Sequence, residues 1–143
     1  MQQVILTLAL IFSLTVVAQT TSENKITGQV IKVSVTNALN DSGTVGFALY
    51  DETTFMKSEP IFAKSEKIKN GVSSIIFEDV PAGTYAIICF HDENDNKRMD
   101  FYENGMPKES YGTSNNIMSF GPPNFEDSKF EVKNEAISLE IKF

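Results

Sequence analysis

The chain has 143 residues, with 12 Lys plus Arg against 19 Asp plus Glu, a formal charge of −7, one His and one Cys. The acidic balance argues against nucleic acid as a partner and against a basic membrane-surface role, because binding phosphates depends on clustered Lys and Arg. Cys89 alone cannot form an intrachain disulfide, a Cys-based zinc cluster or a CxxC redox site, and His91 alone cannot build a His-rich metal site.

The first elements are a leader and its linker. Val4 to Val17 is apolar apart from Thr7, Ser13 and Thr15, and it ends in the small residue Ala18 before the polar run Gln19-Thr20-Thr21-Ser22. That pattern predicts a secretory signal peptide over 1–18, a flexible mature N-terminus over 19–25 and one domain over 26–143. About 15 apolar residues are short for a bilayer span, so no stable membrane insertion is expected after cleavage. The expected destination is periplasmic or extracellular.

From Ile26 the apolar residues recur with a period near two. Ile31, Val33 and Val35 share one face of a first strand, and Val45, Phe47 and Leu49 share one face of a second over Gly43 to Asp51. Asn70-Gly71, between Ala63–Lys69 and Val72–Asp79, predicts a two-residue hairpin because both residues tolerate positive φ. After Pro81-Ala82-Gly83, the segment Thr84–Phe90 is apolar on both faces, which predicts a central strand with Cys89 as an inert core residue. Phe130 and Val132, then Ile137, Leu139, Ile141 and Phe143, alternate with polar residues across Asn134-Glu135 and predict a terminal hairpin. About seven strands without a helical period define an all-β fold, an antiparallel β-sandwich of transthyretin-like or immunoglobulin-like type.

The exception is 91–127, a stretch too long for an ordinary connection. It holds eight acids and three bases, and it also carries Phe101, Tyr102, Tyr111, Phe120 and Phe125, an aromatic content unlike that of a disordered tail. An ordered functional loop is predicted. Within it, Asp92, Asn94, Asn96 and Asp100 offer oxygen at alternate positions, with the Arg98 carbonyl between and Glu103 eleven residues after Asp92. This order matches positions 1, 3, 5, 7, 9 and 12 of a calcium loop, and calcium, a hard ion that takes six to eight oxygens, suits it. Lys97 stands where such a loop has Gly, which would place a side chain at positive φ with strain of order 1 kcal/mol. His91 is read first as a strand-end residue bonded to backbone and second as a general base. No G-x-S-x-G elbow and no second His accompany Ser110, Ser114 and Ser119, so a serine hydrolase is not expected. Glu109, Tyr111, Asn115 and Asn116, with His91, form a candidate ligand-binding rim; the competing reading is that such residues fix the loop through hydrogen bonds to backbone.

The succession Pro81-Ala82-Gly83-Thr84-Tyr85-Ala86, His91-Asp92-Glu93-Asn94, Asn96, Asp100, Gly105, Pro107-Lys108-Glu109, Tyr111-Gly112, Ser114-Asn115-Asn116, Gly121-Pro122-Pro123 and Phe125-Glu126-Asp127 resembles the bacterial domain of unknown function family 2141 over roughly Gln29 to Phe143. Lys97 departs from that pattern, which usually has Gly there. The resemblance implies a small exported protein without an established biochemical activity. Phe77 to Tyr85 is similar to the strand-turn-strand of transthyretin-like and carboxypeptidase-regulatory modules, which bears on fold alone.

The reading that follows is an exported, non-enzymatic β-sandwich with a calcium-organised acidic loop that presents its rim to a protein or glycan partner. The alternatives are a carbohydrate- or peptide-binding module independent of calcium, and a hydrolase using His91 and loop carboxylates.

Overall fold

A computed structural model describes residues 28–118 and 121–143. The expected leader over 1–18 and the linker over 19–25 lie outside the described residues, as does Phe120.

Alternation produces strands wherever it was found. β1 (Gln29–Val35), β2 (Thr44–Tyr50), β3 (Phe62–Lys67), β4 (Ser73–Val80), β5 (Gly83–Asp92), β6 (Tyr111–Thr113), β7 (Phe130–Val132) and β8 (Ile137–Ile141) are joined by one short helix, α1 (Phe125–Ser128). They form two sheets. One has the order β4-β1-β8; the other runs β3-β2-β5-β6, with β7 also on β5. The fold is the expected β-sandwich.

The inward faces supply the core. Ile31, Val33 and Val35 of β1 and Phe77 of β4 oppose Val45, Phe47 and Leu49 of β2 and Ile87 and Cys89 of β5, all fully or almost fully buried. β5 is the central strand that its two apolar faces require, and burial pushes the Cys89 thiol well above its ordinary pKa, so it stays protonated and inert.

Two connections differ from expectation. Asn70 and Gly71 do adopt positive φ, 53° and 74°, and Lys69 and Val72 exchange two backbone hydrogen bonds. The strands on either side nevertheless splay into different sheets, β3 onto β2 and β4 onto β1. The terminal hairpin is replaced by a crossover: β7 pairs antiparallel with the start of β5, and β8 runs parallel to β1 in the other sheet. Turn residues set a local reversal; which sheet each strand joins is decided by which open edge can bury its apolar face.

Asp41 holds the turn from outside, its two carboxylate oxygens accepting from the backbone N–H groups of Asn70 (2.9 Å) and Gly71 (2.8 Å). The Gly71 bond and then the Asn70 bond hold its carboxyl below the ordinary 3.8. A depressed carboxylate pKa stabilises above the unfolded-state value and loses that contribution as pH falls through the folded-state value. The melting-temperature difference between wild type and Asp41→Asn should therefore be constant at about pH 6 and shrink toward about pH 3, as followed by circular dichroism; a difference independent of pH would contradict this role. In the core, Phe77→Ala should cost about 3–5 kcal/mol, read from the urea unfolding midpoint.

Candidate functional site

β5 carries the chain out of the core and into the acidic loop. Its ladder with β2 continues to Thr44 opposite Asp92, so His91 and Asp92 belong to a strand and the loop proper begins at Glu93. β6 and α1 further divide the expected 91–127 loop.

Both side chains at the strand end are buried. His91 is 1% exposed; its Nε2 lies 2.8 Å from the Ser42 carbonyl, which can only accept, so Nε2 carries the proton. Its Nδ1 has no hydrogen-bond partner and lies 3.9 Å from Glu93 Oε1, while the ring stacks on Phe143 at 6.3 Å and 10°. Such a ring serves packing; it could meet a substrate only if the end of the sandwich opened.

Asp92 is also 1% exposed, and its carboxylate is the nucleus of the loop. Oδ1 accepts from Asn96 N–H (3.0 Å) and Oδ2 from Lys97 N–H (2.7 Å). Asn94 Oδ1 accepts from Asn96 N–H and Asn96 Oδ1 from Arg98 N–H, two successive Asx turns. The two amides then point their Nδ2 groups at one oxygen, Asp100 Oδ2, at 2.7 Å and 2.9 Å. Lys97 has φ 66° and Asp95 φ 57°, so the left-handed residue expected at Lys97 is present.

The chain then makes a small hairpin. Lys108 N–H donates to the Asp100 carbonyl, Tyr102 N–H to Met106 and Gly105 N–H to Tyr102. Glu103 lies in its tip, exposed, and no hydrogen bond or ion pair joins it to Asp92, Asn94, Asn96 or Asp100. Glu109, half-buried, is returned to the loop, and its Oε2 accepts from Asp100 N–H at 3.1 Å. Arg98 Nε stands 4.0 Å from Asp100 Oδ1 on a side chain that is 79% exposed, a weak pair. Among the described residues no three His, Cys, Asp or Glu side chains gather to hold a metal ion. The oxygens nearest such a role are those of Asp92 and Asp100 together with the amides of Asn94 and Asn96.

The remaining rim residues act as pins. Asn115 Nδ2 donates to the carbonyls of Asp127 and Lys129, and Asn116 bonds the Glu140 carbonyl and Lys142 N–H, tying the loop to β8. Tyr111, half-buried on β6, lines a groove of about 520 Å³ with Thr113, Ile117, Asn124 and Phe143.

Sequence reading missed the support from the other side. Asn40 Nδ2 donates to Glu93 Oε1 and Thr44 Oγ1 to Asp95 Oδ1, both at 3.2 Å. The signal was present in Asn40-Asp41-Ser42-Gly43, a dense turn cluster. Gly43, at φ 67°, packs so closely that an added Cβ would lie 1.9 Å from the Asp92 carbonyl oxygen.

The fold and loop together define an Asx-rich β-sandwich module. The chain belongs to the bacterial family described as "Uncharacterized protein conserved in bacteria (DUF2141)", which it matches over residues 33–140. No curated protein and no solved structure matches it at a significant level.

Gly43→Ala should cost at least about 2 kcal/mol from left-handed strain and the clash with Asp92. Gly105→Ala, at φ 80° with open space around it, should cost only about 1 kcal/mol. Urea midpoints for the two variants test the contrast, and equal losses would remove Gly43 from the support of the site.

Proposed function

We propose that the protein is an exported, non-enzymatic β-sandwich whose 92–100 loop is organised by a calcium ion and presented to a protein or glycan partner. The observation that carries this reading is the convergence of the Asn94 and Asn96 amides on Asp100, on a loop already wound around Asp92. With their amides turned over, both Asn side chains would offer oxygen where they now offer N–H; the exchange gives up the two Asx-turn bonds from Asn96 and Arg98 N–H, a cost that coordination to the ion has to exceed. The donor set is then Asp92, Asn94, Asn96 and Asp100, with the Arg98 carbonyl. Glu109, held against Asp100, is better placed to complete it than Glu103 at the hairpin tip. All donors are hard oxygens, as calcium prefers.

Extracellular calcium modules bind at roughly 10⁻⁴ to 10⁻³ M. An ion held only by the folded state stabilises by about 1.4 kcal/mol at ten times Kd, which is several degrees in melting temperature for a domain of this size. The mature chain from Gln19 should melt several degrees higher in about 5 mM calcium than in excess chelator, and Asp100→Asn should abolish the rise. Asp100 is the informative position because Asp92 holds backbone N–H groups whether or not an ion is bound. No rise in wild type, or an equal rise in Asp100→Asn, would overturn the calcium reading.

A further inference from the structure

Two peptide bonds of the chain join Asn to Gly, at Asn70-Gly71 and Asn104-Gly105. Asn is a chemically labile residue, and it is most labile before Gly, where no Cβ hinders closure of the following amide nitrogen onto the side-chain Cγ. Both asparagines are exposed, and both glycines adopt positive φ, 74° and 80°. Their surroundings separate them. Asp41 accepts from the N–H groups of Asn70 (2.9 Å) and Gly71 (2.8 Å), the Gly71 carbonyl accepts from Ala38 N–H (3.1 Å), and Lys69 and Val72 close the turn. For attack on Asn70 Cγ, the Gly71 nitrogen would have to break a charge-assisted bond and shed its proton facing a carboxylate, which repels the anion so formed.

The second pair carries no such lock. Gly105 N–H donates to a neutral group, the Tyr102 carbonyl at 2.8 Å, and the turn is closed within its own hairpin by Tyr102 N–H on the Met106 carbonyl. A Cβ added at Gly105 would meet nothing within 4 Å. Asn104 Oδ1 accepts from Met106 N–H at 3.1 Å, an Asx turn that folds the side chain back across the Gly105 peptide. That N–H stands at the oxygen on which negative charge develops when a nitrogen adds to Cγ, so the turn itself supplies a donor to the tetrahedral intermediate.

We propose that Asn104 is a self-modification site, converted through a succinimide to an aspartyl or isoaspartyl residue, and that Asp41 protects Asn70 from the same reaction. The Gly105 nitrogen, its proton taken by hydroxide, forms a bond to Asn104 Cγ. The intermediate then breaks its Cγ–Nδ2 bond, and the amide nitrogen takes up a proton and leaves as ammonia. Water opens the ring. Cleavage at the side-chain carbonyl gives the aspartyl chain and cleavage at the backbone carbonyl the isoaspartyl chain, with a carboxylate gained either way. The chemistry needs neither the proposed ion nor a partner. The new charge lies beside Glu103, in the hairpin that exposes Phe101, Tyr102 and Met106, so the reaction alters the surface which that hairpin presents.

Incubation of the purified protein in mildly alkaline heavy-oxygen water, with and without guanidinium, tests the proposal. After acid digestion, peptide mass spectrometry follows each Asn-Gly pair by the amide-to-acid mass change and the heavy oxygen taken up. In the folded protein Asn104 should convert at least about tenfold faster than Asn70, because only Asn70 must first give up hydrogen bonds to a carboxylate. In guanidinium the two rates should converge. Asp41→Ala, where circular dichroism shows it folded, should raise the Asn70 rate severalfold relative to Asn104. Phe77→Leu, which weakens the core and leaves Asp41 in place, should keep the wild-type ratio. An Asn104 that stays intact in the folded protein, or an Asn70 that converts as fast there, overturns the proposal. A folded Asp41→Ala protein with the wild-type ratio overturns the protection by Asp41.

Discussion

Seven consecutive residues of β2 pair with β5, from Tyr50 against Ala86 to Thr44 against Asp92, and this ladder sets both the buried layer and the point at which the acidic loop leaves it. Its inner side presents Val45, Phe47 and Leu49 beside Ile87 and Cys89 to the other sheet. Its last rung is fixed by a close approach that only Gly43 permits, the backbone there lying against the Asp92 carbonyl. Because Asp92 is thereby held at the end of a rigid strand, its carboxylate can collect the N–H groups of Asn96 and Lys97 and wind the following residues around itself.

Strands were legible because burial of one face imposes a period of two, which β1, β2 and β8 declare, while β5 shows itself by apolar residues on both faces. Partnership was not legible, because period carries no information about which edge a strand joins. Phe130 and Val132 alternate just as Ile137, Leu139 and Ile141 do, yet β7 closes on β5 while β8 runs parallel to β1. β6 was invisible for a different reason. Tyr111-Gly112-Thr113 is three residues long and has a glycine at its centre, where an added Cβ would lie 2.2 Å from the Lys142 carbonyl oxygen. A close backbone contact chose that residue, and no hydrophobic pattern records such a contact.

The candidate site shows the same division. Spacing singled out Asp92, Asn94, Asn96 and Asp100, and the structure links them through Asx turns and the two amides. Counting along a template assumes a continuous loop, whereas Tyr102, Gly105 and Met106 close a hairpin with Glu103 exposed at its tip and Glu109 returned to Asp100. Asparagine proved to serve two purposes that sequence alone does not separate. Asn37, whose side chain exchanges two hydrogen bonds with the backbone of Phe143, and Asn116, which does so with Glu140 and Lys142, stand in for a neighbouring strand. Asn94 and Asn96 instead answer a carboxylate.

That distinction bears on how far an ion could act. Asp92 is satisfied by backbone donors that belong to the fold, and replacing it with an amide would set an N–H against an N–H, so its half of the loop is fixed by the polypeptide itself. Asp100 Oδ2 is met by two neutral amides, and the cation nearest its other oxygen is the distant, exposed Arg98. Neutral donors answer a carboxylate's hydrogen-bonding needs without cancelling its charge, whereas a divalent ion does both. The proposed calcium ion would therefore leave the β5 end of the loop where it is and reorganise the Asn94 to Asp100 half. There, oxygen coordination would turn the two amides over and release the Asx-turn bonds from Asn96 and Arg98 N–H.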